Sequence, residues 1–200
     1  NQIVYLKAAS GMGKTTLAKI VMGLMRARNL DLRIGEHHIT DETPNRYWQD
    51  HLWGRKIGMV FQHADEALNL NAKVKDVFAG LPFPEEITPD YVRRQLETYF
   101  PDEVDETFLN KPIRYLSGGQ KQRLNLLRTI SLDPDLLILD EPLNGLDFLS
   151  IKKVIDLLLA KQMEGKGILL ISHNEEIFDS LGTADRLHLK VEHAGYSGRD

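Results

Sequence analysis

The segment Ile3-Val4-Tyr5-Leu6-Lys7-Ala8-Ala9-Ser10-Gly11-Met12-Gly13-Lys14-Thr15 runs from an apolar stretch through a glycine-bearing turn into a helical pattern, with Leu17, Ile20, Val21 and Leu24 at helical spacing. Strand, tight loop and helix in that order leave few folds open. Successive backbone N–H groups and the positive end of the helix dipole then converge on one point, which suits an anion. Gly11 and Gly13 remove Cβ atoms where the chain must wrap closely around that anion. Lys14 is placed to reach phosphate oxygens, Thr15 to ligate Mg²⁺ and Thr16 to add a hydroxyl contact, with Ser10 and Met12 completing the loop. Loops of this kind commonly begin with glycine, and Ala8 stands there instead, so the first turn is expected to be slightly altered. Taken alone, a Gly-Lys-Thr at a helix start is also a chance pattern.

Short apolar runs recur along the chain at 136–139 and 168–171, and an extended stretch at 56–61 and a β-rich one at 187–191 join them. Their continuous apolar character suits strands buried on both faces. Helical patterns at about 119–131, 148–163 and 175–181 lie between them, the alternation of a mainly parallel α/β sheet. Residues 70–132 differ: Pro82, Pro84 and Pro89 punctuate helical segments such as 89–100, and no strand pattern occurs. The expected organisation is one domain. A core lobe covers about 1–69 and 133–191, an inserted helical lobe about 70–132, and a polar tail 192–200.

Three strand ends carry chemistry. The run at 136–139 emerges at Asp140-Glu141, where alternation points neighbouring side chains in different directions. Asp140 can therefore join a Mg²⁺ shell while Glu141 faces a water as general base. The run at 168–171 ends in Ser172-His173, whose imidazole can donate to a phosphate oxygen, and the stretch at 56–61 ends in Gln62, whose amide can bridge a metal or water. In isolation each has a plainer reading: solvated acids capping a strand, a loop histidine, a surface glutamine. His37, His38, His51, His63, His188 and His193 show no metal-ligand spacing and read as surface or packing residues.

Composition narrows the class further. With 42% hydrophobic and 27% charged residues in 200, the chain can bury an ordinary core, and a net charge of −4 gives no global attraction to nucleic acid or anionic lipid. The absence of cysteine excludes disulfides and cysteine-ligated zinc and fits a cytosolic protein. No apolar run approaches the roughly 18 residues that span a bilayer. The chain begins at Asn1 with no leader pattern, as expected of an excised domain.

One further motif, Leu116-Ser117-Gly118-Gly119-Gln120, lies between the glycine loop and the acidic strand end. Ser117 is a good helix N-cap, Gly118 and Gly119 allow close backbone approach, and the helix that follows aims its positive end at an anion. The ordered set of Gly11 to Thr15, Gln62, Leu116 to Gln120, Asp140-Glu141, Asn144 to Asp147 and His173 resembles the nucleotide-binding domain of ATP-binding-cassette (ABC) proteins over nearly the whole chain. The resemblance implies a P-loop NTPase fold with a helical signature subdomain, whose usual N-terminal antiparallel β region is largely missing here, so the adenine-stacking residue is unassigned. It implies an ATPase using ATP and Mg²⁺. Lys14 and its loop would hold the phosphates, Thr15, Gln62 and Asp140 the metal, and Glu141, Gln62 and His173 would act on the water and γ-phosphate. Ser117, Gly118, Gly119 and Gln120 would serve the nucleotide of a second cassette, so that the machine is a head-to-tail dimer, with Asp147 in the loop crossing its axis. Asn144-Gly145 stands where Ser-Ala is commoner. The resemblance further implies a cytoplasmic cassette at the inner face of a membrane, powering separate transmembrane subunits or domains, with a loose likeness at 61–70 to peptide and nickel importers. A soluble ABC ATPase acting on ribosomes or nucleic acid, or a module that binds nucleotide without hydrolysis, are the alternatives, and no direct nucleic-acid contact is expected.

Overall fold

A computed structural model describes residues 2–7, 11–83 and 86–173, and the backbone of 185–188. Five parallel strands form one sheet in the order β4-β5-β6-β1-β7. These are β1 (Ile3–Lys7), β4 (Ile57–Val60), β5 (Leu136–Asp140), β6 (Gly167–Ile171) and β7 (Asp185–His188). The expected helix at 175–181 lies outside the described residues. The last strand begins earlier than the 187–191 expected, at Asp185, and 189–191 are also outside the described residues.

Alternation along the strands sorts side chains onto two faces. Ile3, Tyr5, Val60, Leu137, Leu139, Ile168 and Leu170 face one way, under α5 (Gly118–Ile130) and α6 (Phe148–Met163). Leu6, Ile57, Met59, Ile138 and Ile171 face the other, against Ala18 and Met22 of the α1 region (helix Lys14–Val21) and Trp48 and Leu52. Both faces are covered, which is why these strands read as unbroken apolar runs.

Two elements escaped the periodicity reading. Asp31–Ile34 (β2) and His37–Thr40 (β3) pair as an antiparallel hairpin. Only Ile34 and Ile39 of its residues are buried, so the sequence shows no clear alternation there. The short helix α2 (Asn45–Tyr47) continues as a π-helical turn, Trp48–Leu52, that lays Trp48 into the core. His37, Tyr47 and His51 pack as an aromatic cluster, with Tyr47 at 2.8 Å from the His37 Nδ1.

A third apolar cluster gathers Val74, Val77 and Phe78 with Val92, Leu96 and Phe100, and with Phe108, Leu109 and Ile113. Its helices are α3 (Pro89–Tyr99) and α4 (Glu106–Asn110), capped by the Thr88 and Asp105 side chains respectively. Proline in the first turn of α3 is tolerated because its missing N–H has no intrahelical partner there. Helix α5 belongs to two clusters: Leu126 and Ile130 pack on the sheet, and Leu124 and Leu127 on the third cluster. Truncating Leu126, which is fully buried, removes contacts on the sheet side. Leu126→Ala should destabilise the chain by about 2–5 kcal/mol, read as a lower urea midpoint with an unchanged slope.

Candidate active site

Because β1, β4, β5 and β6 are parallel and in register, their C-terminal ends lie along one edge of the sheet. Ligands of open α/β sheets bind at that edge. The chain emerging from β1 turns through Gly11 and Gly13, both at positive φ (78° and 84°), a region glycine enters without strain. Gly13 is the N-cap of α1 and makes no side-chain cap, so the first N–H groups of the helix are left to a ligand. Lys14 is buried at the start of that helix, Met12 is half-buried and Thr16 is exposed. Ser10, like Ala8 and Ala9, lies outside the described residues.

Thr15 and Asp140 meet directly: the Thr15 hydroxyl donates to Asp140 Oδ2 at 2.7 Å. Asp140 is 1% exposed. Burial pushes its carboxyl above the usual aspartate range, while the Thr15 hydrogen bond and the charges of Lys19 and Lys14 pull it back and Glu66 adds to the rise.

Glu141 is one of three non-glycine residues at positive φ among the described residues, with Asn29 and Asp133. Its φ of 48° is left-handed for a non-glycine residue, a conformation that costs on the order of 1–3 kcal/mol and is retained where the surroundings enforce it. Pro142 follows and disfavours the right-handed alternative, and the Glu141 N–H donates to the Ile171 carbonyl at 2.8 Å, locking the turn to β6. Glu141 is 4% exposed. Ser172 Oγ donates to its Oε2 at 3.0 Å, while Oε1 makes no hydrogen bond among the described residues. His173 Nε2 stands 3.5 Å from that oxygen, on a ring whose side chain is 57% exposed.

Gln62 is exposed just past β4 and lines a cleft of about 410 Å³ together with His63, Gly118, Gln122, Asn144 and Gly145. The signature segment opens onto the same cleft. Ser117 caps α5 in a reciprocal box, its Oγ accepting from the Gln120 N–H (3.2 Å) while Gln120 Oε1 accepts from the Ser117 N–H (2.9 Å). The Gln120 amide also donates to Glu103, so its side chain is fully engaged within the chain. The two glycines differ. A Cβ at Gly119 would sit 2.5 Å from the Gly145 carbonyl oxygen, whereas one at Gly118 would meet nothing within 4 Å. Gly119 is needed by its own fold, and the bare face of Gly118 is turned outward. Asp147 caps α6, accepting from the Ser150 N–H at 2.9 Å and its hydroxyl at 2.7 Å; the Ser150 backbone bond is the larger cause holding its carboxyl below the usual range.

The structure thus unites Thr15 with Asp140, Glu141 with His173, and Gln62 with the signature and the Asn144-Gly145 turn. A family model described as ABC transporter matches residues 1–144. The chain belongs to the ABC transporter family. It is an ATP-binding cassette, and its enzyme class is ATPase. Among curated relatives, the taurine import ATP-binding protein TauB of Roseobacter denitrificans is 33% identical over 196 residues, covering 97% of this chain and 67% of that protein. The energy-coupling factor transporter ATP-binding protein EcfA2 of Lactobacillus gasseri is 30% identical over 198 residues, covering 96% and 67%. A solved dimeric, post-hydrolysis cassette, MJ0796 bound to ADP and Pi, superposes with a TM-score of 0.79 at 24% identity, covering 94% of this chain and 81% of that one, a likeness of fold.

Ser172 was not singled out by its sequence context, although its place one residue past the β6 partner of Asp140 puts it beside Glu141. Also unforeseen was the polar side of the signature helix, where Gln122, Asn125 and Thr129 are buried at helical spacing.

Asp140 makes the pH dependence of the cassette testable. Its folded pKa lies above the unfolded value of about 3.9, so its contribution to stability is fully present below that value and is lost as pH rises through the folded pKa. Above the unfolded value, deprotonation favours the unfolded chain, so Asp140 contributes less stability at neutral pH than in acid. Asp140→Asn, free of nucleotide and in chelator, should melt higher than the parent at pH 7, with the gap closing below about pH 4. A variant that melts lower at pH 7 would contradict this account of the site.

Proposed function

We propose that the cassette hydrolyses Mg·ATP in two composite sites of a head-to-tail dimer and thereby powers a membrane transporter. The observation that carries the catalytic reading is the buried, strained Glu141, whose Oε2 is fixed by Ser172 while Oε1 is left to accept a proton. In the reaction, a water oxygen bonds to the γ-phosphorus as the bond to the β,γ-bridging oxygen breaks, giving ADP and phosphate. Glu141 Oε1 takes the water proton, Gln62 orients that water, and His173 donates to a γ-phosphate oxygen. Lys14 and the N–H groups from Gly11 to Thr16 hold the phosphates. Lacking a Cβ, Gly118 lets the partner's γ-phosphate approach the start of α5, and Ser117 adds its hydroxyl.

The Thr15–Asp140 pair fits Mg²⁺, a hard cation commonly held by one or two carboxylates plus substrate phosphates and water. In this reading Thr15, Asp140 and Gln62 would hold the ion. When bound, the ion supplies neutralisation of phosphate charge.

The transporter role rests on the names of the relatives, a taurine import ATP-binding protein and an energy-coupling factor transporter ATP-binding protein. Among the described residues no helix is long and apolar enough to cross a membrane. This reading calls for a separate membrane subunit as partner and a cassette at its cytoplasmic face. Its docking surface is the helical segment after Gln62, where a cleft of about 600 Å³ is lined by Lys75, Phe78, Ile87, Val92, Arg93 and Leu109.

Glu141→Gln keeps side-chain size and removes the proton acceptor. It should reduce kcat on the order of a hundredfold or more while leaving ATP affinity within about threefold, measured by phosphate release and equilibrium binding. Turnover near the parent rate would remove Glu141 from the mechanism.

A further inference from the structure

Helix α5 grips β4 and the loop around Gln62 at the main chain. Thr129 Oγ1 donates to the Met59 carbonyl at 3.3 Å, Asn125 Nδ2 to the Phe61 carbonyl at 3.4 Å, and Arg128 Nη1 to the Ala67 carbonyl at 2.8 Å. Lys121 adds an ion pair to Asp65 at 3.0 Å. From the same helix, Gln122 Nε2 reaches the carbonyl of Pro142, the residue after Glu141, at 3.4 Å. The backbone on both sides of Gln62 is therefore held by the helix that begins in the signature motif. The α1 helix holds the loop from its other side through Lys19 and Glu66, 2.9 Å apart.

Asn125 is the anomaly in this set. It is 0% exposed, and its Oδ1 makes no hydrogen bond among the described residues. An unpaired buried acceptor opposes folding, and an apolar side chain of similar volume would avoid that cost. What Asn125 gains is one directed bond to Phe61, the residue immediately before Gln62. The one side-chain bond that Asn125 makes among the described residues holds the backbone beside Gln62.

We propose that Asn125 is a positioning residue for Gln62: by holding the Phe61 carbonyl from the signature helix, it sets the direction in which the Gln62 amide leaves β4. The signature helix and Gln62 then move as one piece, so engagement of the signature by a partner's nucleotide is transmitted to the residue that orients water in the chain's own site. This inference rests on the role assigned to Gln62 above.

The test uses the full chain and a double-mutant cycle of Asn125→Leu with Gln62→Ala, with Asn125→Ala as a second variant at the same position. Asn125→Leu removes the orphan acceptor and fills its space, so its melting temperature should equal or exceed that of the parent. Its kcat for ATP should nevertheless fall at least about fivefold with KM within about twofold, and the loss should vanish when Gln62 is already alanine. Backbone amide exchange of 61–67 should become faster in Asn125→Leu without nucleotide, a readout independent of activity. Parent-like kcat in Asn125→Leu and Asn125→Ala, or a loss that adds fully to that of Gln62→Ala, would overturn the proposal and leave the Gln62 role standing. A Gln62→Ala enzyme with the parent kcat would overturn both.

Discussion

Two consecutive carboxylates with almost no exposed surface stand at the end of β5, and keeping them there is the constraint on which the site depends. Buried charges are costly unless paired or hydrogen-bonded. Each acid is met by a hydroxyl from a different element, Thr15 at the start of α1 and Ser172 at the end of β6. Lys14 and Lys19 offset the charge of Asp140, and the strained Glu141 backbone is fixed by its bond to Ile171. The parallel sheet with its aligned strand ends brings these groups, from distant parts of the chain, to one edge.

The same constraint explains what the sequence revealed. The core strands were legible because burial on both faces makes them unbroken apolar runs, and α6 because its residues follow a helical pattern. The hairpin Asp31–Ile34 with His37–Thr40 was not, since it buries only Ile34 and Ile39. In the candidate site, the contact of Thr15 with Asp140 and the place of Glu141 at the end of β5 follow from residue type and order. Ser172 and Asn125 were not legible, because each acts through a neighbour brought close by folding: Ser172 through the β5–β6 register, Asn125 through one face of α5.

In the proposed dimer the signature segment serves two demands. Its Ser117–Gln120 box and the Gln120–Glu103 contact are satisfied within the chain, and Gly119 is glycine because the Gly145 carbonyl leaves no room. Gly118 has no such internal reason. Its open face at the exposed start of α5 is the feature that fits a site shared between copies.

Complementation between two inactive variants tests that claim most directly. Lys14→Ala removes a phosphate contact from one half of the composite site, and Ser117→Arg blocks the other half. If each site draws its loop from one chain and its signature from the partner, every homodimer site is defective, whereas a mixed dimer contains one site intact in both halves. Each variant alone should be nearly inactive, and mixing them should restore ATP hydrolysis in proportion to the mixed dimers formed. No recovery on mixing, with mixed dimers demonstrated by pull-down, or full activity of Ser117→Arg alone, would contradict the composite site.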